Sequence, residues 1–172
     1  MPYWKPLIVD GVAIDLGHFE TFEFETRPTG SQANATVRVM FGSHCFSEAF
    51  DAAAHTASLP RTHVSAHETR SFDRERYELG KSLRGHVRNF PGQRIAQTRT
   101  GTLVKVALSD GRDYGIFFTL GKLGPSLCEL FVVTAYPLDG GRQVAVTGEM
   151  RFNLIVAKVL EGRRPKFPNG RF

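Results

Sequence analysis

The sequence predicts an α+β fold, an antiparallel β-sheet meander packed against one main helix, with an N-terminal β-hairpin. Three observations carry this prediction. Leu79, Leu83, Val87 and Phe90 recur at i, i+4, i+8 and i+11, a helical period in a chain otherwise patterned in twos. Four apolar strand-like runs follow that helix at short intervals, and Asp110-Gly111 between the first two is a hairpin signal. Fourteen Phe in a globular composition (41% hydrophobic, 23% charged) suit a sheet-rich core and exclude a low-complexity chain. At 172 residues the chain fits a single domain, 1–172, able to bury a sizeable core.

Residues 5–26 hold two strand-like runs. In FETFEFET, Phe19, Phe22 and Phe24 alternate with Glu20, Glu23 and Glu25, giving an apolar and an acidic face. PTGSQANA (28–35) is a turn by composition. ATVRVMF (35–41) alternates as a strand and completes the N-terminal hairpin. Residues 41–70 have no period; Ser47 to Ala54 fit a helical turn and the rest reads as loop. The main helix spans roughly 72–90, with Ser71 or Asp73 as cap and Pro91-Gly92 as stop. Gly80 and Gly85 weaken it by about 1 kcal/mol each and leave room for a close neighbour. Strands are expected at 102–108, 114–120, 128–135 and, after the turn LDGGR, 143–148. RFNLIVAKVLEG (151–162) fits strand or helix equally, and 163–172 reads as a basic flexible tail.

Charge divides the chain. Residues 1–60 carry three basic against seven acidic side chains, and the remainder carries 19 against 10. The acidic strand-rich part (1–60) and the basic helix-plus-sheet part (71–160) belong to one body. The basic excess favours an anionic partner, nucleic acid first. No apolar run approaches the ~18 residues of a membrane helix, and the start MPYWKPLIVDG lacks a signal-peptide layout. Cys45 and Cys128 are far apart without CxxC spacing, so no disulfide framework is indicated. A cytoplasmic, bacterial-type protein with reduced thiols and no membrane partner is the expectation.

Two constellations carry chemistry. On the helix, LRGHVRNF places His86 and Arg88 beside Lys81 and Arg84, a proton-transfer group among cations that can hold a phosphodiester. On the sheet, CELFVVTAYP ends with Thr134 and Tyr136, two residues apart and so on one face, able to bind phosphate or stack on a base. A helix with a His/Arg pair followed by a meander with this strand end resembles the barnase/EndoU/RelE-like class of metal-independent ribonucleases, over about residues 72–140. The resemblance implies RNA cleavage or RNA binding in preference to DNA, toxin-like, with a protein partner such as an antitoxin. It implies catalytic roles for His86, Arg88, Thr134 and Tyr136, nucleic-acid contacts from Lys81, Arg84 and Lys122, and no cofactor or metal. A non-enzymatic phage- or plasmid-type accessory protein, binding nucleic acid or a protein through its acidic and basic faces, is the alternative. A further reading, a metal hydrolase using His44 or Cys45 with His63 and His67, or a Cys45 thiol, lacks a standard ligand spacing or a nucleophile elbow.

Overall fold

Alternating apolar and polar residues make most of this chain strand, and the length of each run sets where the strands meet. A computed structural model describes residues 4–99, 101–138 and 144–168. β1 (Leu7–Val9) and β2 (Val12–Ile14) form a short hairpin whose turn, Asp10-Gly11, takes φ of 50° and 77°. Asp and Gly tolerate that left-handed backbone. β3 (Phe22–Thr26) and β4 (Ala35–His44) make the expected N-terminal hairpin, with Phe22 opposite Val39 and Thr26 opposite Ala35. β8 (Thr102–Ala107) and β9 (Asp113–Gly124) pair across the Asp110-Gly111 turn as expected, and β10 (Leu127–Leu138) returns along β9.

The meander ends there. β10 offers its second edge to β4 in parallel register, Leu127 opposite Thr36 through Val132 opposite Phe41. With that edge taken, β11 (Val146–Arg151) crosses to the other side of the sheet and pairs antiparallel with β7 (Arg94–Thr98), a strand the sequence pattern did not reveal. The result is a mixed seven-stranded sheet in the order β11-β7-β8-β9-β10-β4-β3. The antiparallel meander with one main helix is thus overturned. The LDGGR turn falls largely on residues 139–143, outside the described residues.

The single helix is overturned as well. Asp73 caps α1 (Arg74–Gly80), its carboxylate accepting from the Arg76 amide at 3.0 Å. The chain then breaks before α2 (Leu83–Arg88). Ser82 Oγ donates to the Leu79 carbonyl at 2.8 Å, and Gly80 abuts the Phe19 ring, where any added Cβ would collide with it. Close packing thus favours Gly at a position where helix propensity disfavours it. Leu83, Val87 and Phe90 are fully buried, as their spacing predicts. The ambiguous segment becomes α3 (Phe152–Leu160), because Phe152, Ile155, Val156 and Val159 all bury on one side. Residues 47–54 make no helix, although a single turn closes at their end, the Asp51 carbonyl accepting from the Ala54 and His55 amides at 3.0 and 2.8 Å. β5 (Ser47–Ala49) pairs with β6 (Arg70–Phe72), and the buried Arg70 guanidinium donates to Ser47 Oγ and Ser47 O at 2.7 and 2.8 Å.

Helices α2 and α3 cover one face of the sheet. Phe90 packs on Phe118 and Phe152 with centroids 5.1 and 5.7 Å apart, and Tyr114, Ile116 and Phe118 of β9 bury there. Of the basic tail, the described part stays close: Phe167 packs against the core and the Phe167–Pro168 backbone lies against Gly148. Among the described residues no helix is long and apolar enough to cross a membrane.

Candidate functional site

Side chains of a strand alternate, so one inserted residue reverses every side chain beyond it. β10 contains such an insertion. Cys128, Leu130 and Val132 face the helices and are fully buried. Strict alternation would send Thr134 and Tyr136 after them, toward α2. The register against β9 instead runs Val132–Phe118 and then Thr134–Phe117, so Val133 and Thr134 together oppose one residue. This bulge turns Ala135 into the core, fully buried opposite Ile116, and moves Thr134 and Tyr136 to the other face.

That other face is not covered by α2 or α3. On it Tyr136 stacks on Phe117, with centroids 5.4 Å apart and planes at 14°. The Arg76 guanidinium carbon lies 5.1 Å over the Tyr136 ring, extending a cation–aromatic–aromatic row. Arg76 can reach there because β4 ends at His44, opposite Thr134, while β10 continues to Leu138. Its guanidinium is held by the carbonyls of His44 and Ser47, at 3.1 and 3.0 Å, and by Asp73 at 3.0 Å. Beside the row is a recess of about 220 Å³ whose walls include Phe117, Thr119, Val133, Thr134 and Tyr136. Thr134 Oγ1 donates to the His44 carbonyl at 3.4 Å. Two exposed cations that do not line the recess lie near its wall residues in strand register or sequence, and neither has an ion pair among the described residues. Lys105 shares the face through its pairing with Gly115, and exposed Arg99 precedes the Gly101 edge.

His86 lies on the opposite side. Its ring is 6.2 Å from that of Tyr114, which belongs to the helix-covered face, and it bonds Ser82 Oγ at 3.1 Å. Burial lowers its pKa, as it lowers that of His18. The expected catalytic set is therefore divided: Thr134 and Tyr136 on the open face, His86 on the covered one. The basic ridge is drawn into packing. Arg84 and Arg88 lie 4.9 and 5.1 Å over the Phe22 ring, and Arg84 also donates to the Glu20 carbonyl at 3.0 Å. Lys81 pairs with Glu78 at 2.6 Å. Lys122 donates to the Leu160 carbonyl at the C-terminus of α3. It is eight residues along β9 from Tyr114, about 27 Å at strand rise.

The histidines of the N-terminal part have separate duties. His63 is buried, its two nitrogens within 2.8 Å of the Lys5 carbonyl and 3.0 Å of Thr62 Oγ1. His44 Nε2 meets Glu68 Oε2 at 3.0 Å. Among the described residues no group of three or more His, Cys, Asp or Glu is arranged to hold a metal. Burial pushes the Cys45 thiol up to about 12, which leaves no thiolate for nucleophilic attack near neutral pH.

Sequence reasoning missed Phe117, Arg76 and Lys105. The Phe117 signal was present: in YGIFFTL two adjacent aromatics in one strand must face opposite ways, so one of them is outside the main core. Arg76 had no such signal, since its role depends on β4 stopping short of β10.

No curated protein and no solved structure matches the chain significantly. The family model described as the YjaZ family matches residues 6–160, from the residue before β1 to the last residue of α3, and the chain therefore belongs to the YjaZ family.

Proposed function

We propose that this protein binds single-stranded RNA on the open face of its sheet, around the Phe117–Tyr136 stack. The observation that carries the reading is the recess itself: two half-exposed rings, backed by Arg76, beside the hydroxyls of Thr119 and Thr134. Unpaired bases stack on such rings, and threonine hydroxyls can meet a ribose 2′-hydroxyl that DNA lacks. Lys105 and Arg99 supply positive charge for the phosphates. The basic excess over residues 61–172 agrees with an anionic ligand. Cleavage by His86 is not part of this proposal, because the bulge at Val133 turns Tyr136 away from the face that His86 contacts.

Fluorescence anisotropy with a labelled twelve-residue oligouridylate tests the reading. Wild type binds it in preference to the deoxy oligomer, and Phe117→Ala weakens binding about 10-fold, in keeping with the loss of one base stack. Removing Lys105 and Arg99 together lowers the slope of log K against log salt by about 1.4. Absence of any anisotropy change for wild type overturns the proposal.

A further inference from the structure

A second, larger groove of about 610 Å³ adjoins the recess across the β10 bulge, and Val133 lines both. We infer that this groove is a second nucleotide subsite on the same strand of RNA, with Val133 as the divider between consecutive bases. The inference rests on the RNA-binding reading and extends it from one base to a two-nucleotide step.

Four features lead to it. The walls include the rings of Trp4 and Phe131, and the Trp4 ring is nearly parallel to that of His63, centroids 6.0 Å apart and planes at 10°. His63 is fixed by its bonds to Lys5 and Thr62, so that platform is rigid before any ligand arrives. Among the polar residues of its wall is Glu68, whose side chain is 41% exposed and whose carboxylate is held on one oxygen by His44. A carboxylate accepts up to about four hydrogen bonds, leaving capacity for the N–H groups on a base edge. Finally, the spacing suits neighbouring nucleotides: His44 on the groove pairs with Thr134 on the recess, adjacent strands about 4.8 Å apart. The two positions are also tied, the Thr134 side chain donating through Oγ1 to the His44 backbone carbonyl. Between the two spaces Val133, 36% exposed, presents an apolar wedge that a base must step over.

The chain's one tryptophan lines this groove and also borders a recess with Pro6, Ile14 and Leu16, so its emission reports a ligand in this groove when Glu68→Ala, on the groove wall and not on that recess, alters the quenching. Oligouridylates of one to six residues are titrated while both tryptophan emission and competition against the labelled twelve-mer are followed. The expected result is quenching by the dinucleotide and longer oligomers, half-saturating at least about 10-fold below the mononucleotide because the second base binds intramolecularly. Phe117→Ala, which lies outside the groove, then shifts the quenching curve of the dinucleotide to higher concentration. Displacement of the twelve-mer with unchanged emission, or equal half-saturation for one and two residues, overturns the second subsite while leaving RNA binding intact. Failure of every oligomer to displace or bind overturns both.

Discussion

Phe117 and Phe118 are neighbours in the chain and lie on opposite faces of the sheet. Phe118 is sealed under Phe90, while Phe117 is half-exposed against Tyr136. The covered face spends its aromatics on cohesion, and its one functional-looking histidine, His86, is packed against Tyr114. The open face spends its aromatics on a recess with hydroxyls and nearby cations. Residue type alone therefore does not decide whether a side chain enters the helix-covered core or stays on the open face; the parity of the strand does.

The largest effect expected from separating the faces is on stability. Phe118→Ala leaves a core cavity and costs about 3–5 kcal/mol, whereas Phe117→Ala loses one exposed stacking partner and costs about 1 kcal/mol. Urea denaturation measures both, and equal costs would erase the distinction between the faces. A smaller contrast lies in the helices on the covered side. Gly80→Ala drives a Cβ into the Phe19 ring and destabilises by about 1–3 kcal/mol. Gly85→Ala meets nothing within 4 Å and stabilises by up to about 1 kcal/mol through helix propensity. Opposite shifts in thermal midpoint are the expected outcome.

The smallest effect concerns pH. Burial lowers the pKa of both His18 and His86 below the ordinary 6.5, so the unfolded chain takes up these protons first as pH falls. Their contribution to stability is complete above pH 6.5 and is lost as pH drops from there through the folded values. The urea midpoint should fall on going from pH 7 to pH 5, less steeply in His86→Gln. A flat profile would mean that these rings are as well solvated as in the unfolded chain.

Much of the covered face was legible in the sequence. The spacing of Leu83, Val87 and Phe90 located the buried stripe, and alternation located β3, β4, β8 and β9. What escaped depends on distant contacts. The break after Gly80 arises where Phe19 packs against it, and β11 leaves the meander because β4 occupies the edge of β10. Thr134 and Tyr136 were recognised as a pair sharing one face, which they do. Which face they share was set by the Val133 bulge, and nothing in VVTAYP distinguishes a bulged strand from a regular one.

The assignment of RNA binding to the bulge-exposed side can be decided with Tyr136→Ala and His86→Gln, titrated against the same labelled oligouridylate at one salt concentration. Tyr136→Ala, which removes a wall of the recess and the ring that backs Phe117, is expected to weaken binding about 10-fold, and His86→Gln to leave it unchanged. Weakened binding in His86→Gln with full affinity in Tyr136→Ala would contradict the account.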